Sequence, residues 1–200
     1  ALILAKKSGR PVKMVMTREE VFRATGPTSG SSSTVKVGAT KDGRITAVKA
    51  TYNLQAGGFP GSPIRGAVGC ALSPYEIANV QITGYDVVTN RPKVAAYRAP
   101  GAPIGAFAVE CTLHDLAKAL KMDPLVLRQK NAAKEGTKAA YGPTFRRMGY
   151  EETLRAALSH PHYQVPLGPN QGRGVASGFW FNAGGESSAQ VYINEDGTVV

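Results

Sequence analysis

The longest helical pattern in the sequence begins at Pro103 and reads "PIGAFAVECTLHDLAKAL". Proline is favoured in the first turn of a helix, because its missing N–H group would have no partner there. A stripe of apolar residues follows at helical spacing, comprising Val109, Leu113, Leu116, Ala117 and Leu120. A helix with such a stripe must bury it against another layer of structure. The sequence therefore predicts a core helix here, which the other elements must cover.

Two runs of alternating apolar residues precede this helix. "TVKVGAT" and "RITAVKATYNL" are joined by the turn sequence "KDG" and predict a hairpin of half-buried strands. Upstream of them, Thr17 and Glu20 have the spacing of a capping box. This spacing predicts a short helix from Arg18 to about Arg23.

Shorter signals predict the remaining elements. Asp123 and Pro124 mark the N-cap and first turn of a helix that reaches about Asn131. Further helices are predicted at residues 1–7, 64–72 and 150–158, strands at 12–16, 76–90, 172–185 and 188–200, and irregular structure at the Gly/Pro-rich residues 55–63. Because strands and helices come in runs, the predicted fold class is α+β, with mixed sheets and hairpins packed on a few helices.

This pattern divides the chain into three predicted segments. Residues 1–95 are strand-rich, residues 96–160 are helical, and residues 161–200 are again strand-rich. Two carboxylates of the predicted core helix, Glu110 and Asp115, are expected on its polar face, away from the apolar stripe.

The basic residues do not follow a nucleic-acid-binding pattern. The chain has 24 Lys and Arg against 14 Asp and Glu, and a formal net charge of +10. The basic residues are spread over several stretches that lack interleaved aromatic residues for base stacking. They are therefore predicted to cover solvated faces, and Arg128 is one of them. No apolar run reaches the roughly 18–20 residues of a membrane span. Neither nucleic acid nor a membrane is an expected partner.

The cysteines and histidines lack the spacing of a metal site. Cys70 and Cys111 form no CxxC pair. They predict two free, mostly buried thiols in a reducing compartment, which favours a cytoplasmic location. His160 and His162 flank Pro161 with no nearby acidic or cysteine partner, and they predict a surface loop.

Arg98 is the strongest candidate for a binding residue. It lies in "AAYRAPGAP", a Gly/Pro turn that leads into the predicted core helix. Amide N–H groups at a helix start and an adjacent guanidinium suit an anionic ligand. The structural alternative is that Arg98 caps a carbonyl or pairs with a carboxylate on a neighbouring strand. The residues alone leave both interpretations open.

Several longer stretches resemble one known family. "SGRPVKMVMTREEVF", "KVGATKDGRITAVKA", "AYRAPGAP" with "AVE", "LAKALKMDPLVLRQKNAAKEG", and "GRGVASGF" with "VYINEDGTV" occur in this order. Together they resemble the large, molybdenum-cofactor-binding subunit of the molybdenum hydroxylases, which include xanthine dehydrogenase and aldehyde oxidase. The resemblance covers essentially the whole chain, which would be a middle segment of a longer subunit.

The resemblance implies a cofactor, partners and a reaction. The anion beside Arg98 would be molybdenum-molybdopterin, in some members the cytosine dinucleotide form, with Ala99 and Gly101 as further cofactor-binding residues. The implied reaction is hydroxylation of an aldehyde or N-heterocycle, with water as the oxygen source. Electrons would pass to iron–sulfur clusters and FAD on partner subunits or domains.

Departures from the family pattern narrow these expectations. Purine-hydroxylating members carry a phenylalanine where Pro100 stands, so a purine is the less expected substrate. Ile104 replaces a glutamine found in many members and removes a polar contact near the cofactor. Trp180 and Phe181 lie near a segment that supplies a substrate-facing aromatic in the family, and a buried strand is the alternative.

The family's Gly-rich cofactor loop and its glutamate base have no counterpart in these residues. We therefore expect no catalytic residue in the chain and no turnover by the chain alone. The competing hypothesis is a non-catalytic structural or interaction domain of a degenerate homologue.

Overall fold

A three-stranded mixed sheet lies at the centre of the fold. The computed structural model describes residues 1–181 and 185–200. The strands are β1 (Ser31–Ala39), β2 (Ile45–Gly57) and β3 (Asn79–Val88), in the order β1-β2-β3. β1 runs antiparallel to β2, as the hairpin predicted, and β3 runs parallel to β2. The predicted α+β fold class is confirmed.

The hairpin turn is fixed by local backbone bonds and by one long-range side chain. Gly43 has a φ of 86° and its N–H donates to the Thr40 carbonyl at 2.9 Å. The amide of Asn131 donates to the Gly43 carbonyl at 2.8 Å and accepts from the Ile45 N–H at 2.8 Å. Asn131 is buried, so it ties the chain after the core helix to the start of β2.

Seven helices complete the described structure. They are α1 (Leu2–Ser8), α2 (Arg18–Ala24), α3 (Ile64–Ala71), α4 (Ala102–Ala119), α5 (Pro124–Lys130), α6 (Tyr150–Ser159) and α7 (Pro161–Gln164). The predicted capping box of α2 is present, since Glu20 N–H donates to Thr17 Oγ1 at 3.2 Å and Thr17 N–H to Glu20 Oε2 at 2.7 Å. Asp123 caps α5 as predicted.

The core lies between the sheet and the α3–α4 pair. β2 buries every second side chain along its length, including Val48, Tyr52 and Leu54. Val109 and Leu113 of the α4 stripe are buried in the same apolar cluster. α3 connects β2 to β3, as a parallel pair requires a crossover between its strands. The predicted core helix is thus confirmed in place and orientation.

Three predicted strands are wrong within the described residues. Residues 12–16 form no strand, and Met14 and Val15 are 62% and 78% exposed. Residues 172–181 are extended without strand pairing, and residues 188–200 contain only an isolated bridge between Ile193 and Val199. An extended segment becomes a strand only where a neighbouring strand accepts its hydrogen bonds. Residues 12–16 and 172–181 have no such neighbour in the described chain, and residues 192–200 fold back only on themselves, through backbone bonds between Tyr192 and Val200. Residues 182–184 of the predicted strand lie outside the described residues.

Two smaller predictions also need correction. Residues 55–57, predicted as irregular, continue β2 to Gly57. His160 caps the one-turn helix α7 and His162 lies within it, so they do not form the predicted loop, although both are exposed. Among the described residues no cluster of three His, Cys, Asp or Glu side chains could hold a metal ion. No helix of the described chain combines the length and apolarity that a membrane span needs.

Candidate functional site

The turn that carries Arg98 has a backbone of unusual conformation. Ala99 has a φ of 52° and Gly101 a φ of 85°, so both lie in the left-handed region. The Ala102 N–H donates to the Ala99 carbonyl at 3.1 Å, and the chain enters α4 with Pro103 in its first turn. Such a conformation costs free energy at a non-glycine residue such as Ala99, so the surrounding structure must hold it in place.

Close backbone contact with α3 holds the turn. A Cβ on Gly66 would lie 2.1 Å from the Pro100 carbonyl oxygen, and one on Gly105 would lie 2.2 Å from the Ala67 carbonyl oxygen. Only glycine allows an approach this close. The two glycines therefore allow the start of α4 to pack closely on α3, and this packing fixes the position of the turn that carries Arg98.

Arg98 itself is exposed. Within residues 1–181 and 185–200 its guanidinium makes no ion pair and no hydrogen bond, so the structural alternative of a capped carbonyl or paired carboxylate is not realised there. The N–H groups of Ala99 and Gly101 likewise donate to no acceptor in the described chain. An exposed guanidinium of this kind, at the start of a long helix, suits an anionic ligand.

An aromatic cluster contacts the same helix, α3. The ring of Phe181 lies so near Gly69 that a Cβ there would be 2.7 Å from its Cζ atom. Around it, the ring centroids of Tyr141 and Trp180 lie 5.0 Å and 5.4 Å from that of Phe181. Trp180 is 49% exposed, and the predicted alternative of a buried strand does not form.

α3 thereby brings the two predicted parts together. Gly66 contacts Pro100 of the turn, and Gly69 contacts Phe181 of the aromatic cluster. Residues three apart are neighbours on one face of a helix. Pro100 and Phe181, which lie far apart in sequence, therefore flank adjacent positions of α3.

A buried polar network around Glu110 of α4 escaped the sequence analysis. Glu110, predicted on the polar face, is 5% exposed, and Arg128, predicted on a solvated face, is fully buried. Arg128 Nε donates to Glu110 Oε2 at 2.9 Å, and Arg128 Nη2 lies 2.8 Å from the same oxygen. The hydroxyl of Tyr75 donates to Glu110 Oε1, and the Ser177 N–H donates to Oε2 at 2.8 Å. Both predictions were wrong because the partners lie far away in sequence.

The phenols of this network stay protonated donors. Burial raises the pKa of Tyr75 well above its usual value, and the negative charge of Glu110 adds to the effect. Burial also raises the pKa of Tyr150, whose hydroxyl lies 3.5 Å from that of Tyr75 and hydrogen-bonds Ser177 Oγ. The spacing of Glu110, Leu113 and Ala117 along the apolar stripe of α4 was the signal that could have placed the carboxylate inside.

A groove of about 810 Å³ lies beside this network, between α4 and residues 173–177. Phe107, Cys111 and His114 of α4 line it, whereas Arg98 and Trp180 do not. Cys111 is exposed here, in contrast to the prediction of two mostly buried thiols, because its side chain points away from the apolar stripe. Cys70 is buried, and burial raises the pKa of its thiol to about 11.

Comparison with known proteins tests the family that the sequence resembled. One family model, the molybdopterin cofactor-binding domain, matches residues 1–132. The chain belongs to this family. Over 160 residues it is 36% identical to the nicotinate dehydrogenase large molybdopterin subunit of Eubacterium barkeri. This alignment covers 78% of the chain and 37% of that protein. It is also 34% identical to a probable hypoxanthine oxidase of Escherichia coli over 84% of the chain and 20% of that protein.

The fold of this cofactor-binding chain has solved counterparts. The aldehyde oxidoreductase from Desulfovibrio gigas superposes with a TM-score of 0.69 and 33% sequence identity, over 81% of this chain and 18% of that one. The family predicted by the resemblance is confirmed. The chain spans between about a fifth and two fifths of the length of the curated relatives described above.

Proposed function

We propose that the chain forms one wall of the molybdenum cofactor site in a molybdenum hydroxylase. Its reaction would be hydroxylation of an aldehyde or N-heterocycle, with water as the oxygen source. The observation that carries the proposal is Arg98, an exposed guanidinium at the start of α4, followed in sequence by two residues whose N–H groups donate to no acceptor in the described chain. The family match supplies the anion that such a site would bind.

The chain's own residues would bind and orient the cofactor and substrate. Arg98 and the N–H groups of Ala99 and Gly101 would donate hydrogen bonds to the anionic part of molybdenum-molybdopterin, which supplies the redox chemistry when bound. Phe181 and Trp180 would cover the substrate side and exclude water from it. The base that takes the proton of the attacking water would be supplied by another part of a longer subunit. The chain alone would therefore not turn over.

The substrate class follows from the surface beside Arg98. Pro100 has no flat face on which a purine could stack, which favours an aldehyde or a smaller heterocycle. The names of two relatives, nicotinate dehydrogenase and aldehyde oxidoreductase, agree with this choice, whereas the hypoxanthine oxidase name does not. A substrate panel of aldehydes, nicotinate and hypoxanthine decides between them, and we expect hypoxanthine to be the poorest.

The proposal includes partners and a location. Electrons would leave through iron–sulfur clusters to FAD on partner subunits or domains. The name of one relative, a large molybdopterin subunit, agrees with an assembly of several subunits. The pterin would be molybdopterin itself or its cytosine dinucleotide form, and the assembly would be cytoplasmic. Cofactor extraction and mass spectrometry of the purified assembly identify the pterin form, the flavin and the iron content.

The test of Arg98 uses the complete subunit in its assembly. We expect Arg98→Ala to lower molybdenum content and turnover at least tenfold, because a charged hydrogen bond to the cofactor is lost, while circular dichroism stays unchanged. Arg91→Ala is the matched control, since Arg91 is also exposed and lies just upstream. Normal molybdenum and turnover in Arg98→Ala contradict the role. A wild-type assembly without molybdenum supports the alternative of a non-catalytic interaction domain.

A further inference from the structure

We propose that Glu110 is a positioning residue that holds residues 173–181, and with them the ring of Phe181, against α3 beside the turn of Arg98. The importance of this position for substrate recognition rests on the proposed function. The contacts that hold the segment lie within the described residues and do not depend on the proposed function.

The anchored segment has few other bonds to keep it in place. Residues 172–181 form no helix or strand and make no backbone-to-backbone hydrogen bond within the described chain. At one end, the guanidinium of Arg173 donates to the carbonyls of His162 and Val165 at 3.0 Å and 2.6 Å. Near the middle, the Ser177 N–H donates to Glu110 Oε2 at 2.8 Å. Ser177 is therefore the anchored residue nearest to the aromatic residues, held at its N–H by Glu110 and at its hydroxyl by Tyr150.

The anchor acts on Phe181 through a short piece of chain. Phe181 lies four residues after Ser177, and its ring covers Gly69 of α3. Gly66, on the same face of α3, touches Pro100 of the Arg98 turn. α4 thus fixes the turn at its N-terminal end through Gly101 and fixes the aromatic segment through Glu110 two turns later. One helix sets the separation between the two parts of the candidate site.

The charge of Glu110 is explained by the number of bonds it accepts. A buried ion pair is often no more stabilising than apolar residues of the same volume, so stability alone does not account for it. A carboxylate offers about four lone-pair sites. Glu110 uses them for the Tyr75 hydroxyl, the Arg128 guanidinium and the Ser177 N–H at once. An amide at this position has one acceptor oxygen and cannot serve all three donors.

The decisive variant removes the donor and leaves the ion pair untouched. Ser177→Pro deletes the N–H that donates to Glu110 and also the hydroxyl that bonds Tyr150, so Ser177→Ala, which removes only the hydroxyl and should raise exchange much less, is measured beside it. Ala176→Pro is the control for a proline in this segment, because the Ala176 N–H donates to no acceptor in the described chain. Hydrogen–deuterium exchange of the complete subunit is followed by mass spectrometry on peptides that cover residues 173–181. We expect exchange there to rise roughly tenfold or more in Ser177→Pro and to change much less in Ala176→Pro.

Steady-state kinetics supply the second readout. Since the segment orients substrate rather than the cofactor, KM should rise roughly tenfold while kcat and molybdenum content stay within about twofold. Glu110→Gln should shift exchange and KM in the same direction. If Glu110→Gln fails to fold, Ser177→Pro compared with Ser177→Ala carries the test, because that pair removes the donor to Glu110 and leaves Glu110 itself unchanged.

The outcomes separate this inference from the proposed function. Equal exchange in Ser177→Pro and Ala176→Pro overturns the inference, as does a fall in kcat with an unchanged KM. Increased exchange in Ser177→Pro together with a wild-type assembly that lacks molybdenum supports the anchor and overturns the proposed function.

Discussion

Gly101 at the start of α4 lies directly on the carbonyl oxygen of Pro63 at the start of α3, so that a Cβ on Gly101 would be 2.1 Å from that oxygen. The φ of Gly101 is 85°, which a side chain rarely adopts. Two separate costs therefore oppose any other residue here, the backbone conformation and the contact with Pro63. The turn of Arg98 therefore requires glycine at position 101.

The two costs can be separated by a matched pair of variants. Gly136 has the same φ of 85° but nothing within 4 Å of its Cβ position. Gly136→Ala should lower the free energy of unfolding by about 1–2 kcal/mol, the cost of a left-handed alanine. Gly101→Ala should lower it by at least about 3 kcal/mol, because the helices must also move apart. Urea unfolding of both variants measures the difference, and equal losses would show that the α3–α4 contact yields without cost.

The buried ion pair of Glu110 and Arg128 gives a second stability prediction. Arg128→Ala leaves the Glu110 carboxylate buried without its cation, and should lower the free energy of unfolding by about 3–5 kcal/mol. Arg155→Ala is the control, because Arg155 is 57% exposed and pairs with Glu152 at 3.7 Å. Its loss should be below about 1 kcal/mol. Urea unfolding that ranks the two variants equally would contradict a buried pair.

Local patterns predicted most elements of this fold. Pro103 and the apolar spacing placed α4, and Thr17 with Glu20 placed α2, because caps and stripes act within a few residues. The parallel pairing of β3 was not predicted, since it depends on how α3 crosses the sheet. The strand predicted at residues 12–16 failed because a short, mostly apolar run carries no information about a partner strand.

The candidate site also has a part that the sequence predicted and a part that it did not. Arg98 and its turn stand out in the sequence, because Gly, Pro and a charge at a helix start have a local physical meaning. The inward position of Glu110 depends on Tyr75 and Arg128, which lie 35 and 18 residues away. The contact of Phe181 with Gly69 spans more than half of the chain and leaves no mark on either local sequence. Long-range contacts of this kind appear only in three dimensions.

The two cysteines should differ sharply in reactivity. Cys111 is exposed on the outer face of α4, whereas Cys70 is buried and burial raises the pKa of its thiol to about 11. At pH 8 the thiolate fraction of Cys70 is small, and the thiolate is the form that reacts. Iodoacetamide should therefore label Cys111 in the folded protein and label Cys70 only after urea is added. Peptide mass spectrometry measures both, and equal labelling of the folded protein would contradict the burial of Cys70.

Tyr52 makes the stability of the protein sensitive to alkaline pH. Its side chain is fully buried, its hydroxyl donates to the Gly105 carbonyl at 2.8 Å, and burial raises its pKa from 10 to about 12. Below pH 10 the phenol is neutral in both the folded and the unfolded chain, so its contribution to stability is complete. Between pH 10 and about pH 12 the unfolded chain loses this proton while the folded chain keeps it, and stability therefore falls as pH rises.

Tyr52→Phe should remove this part of the pH dependence. At pH 7 the variant should be less stable than the wild type by about 1–3 kcal/mol, because the buried Gly105 carbonyl loses its donor. A two-unit difference in pKa corresponds to about 3 kcal/mol, so by pH 12 the wild type should lose most or all of this advantage. Urea unfolding of both proteins from pH 7 to pH 12 measures the gap, which Tyr75 and Cys70 affect equally in the two proteins. A gap that stays constant across the window would show that Tyr52 ionises as readily in the folded as in the unfolded chain.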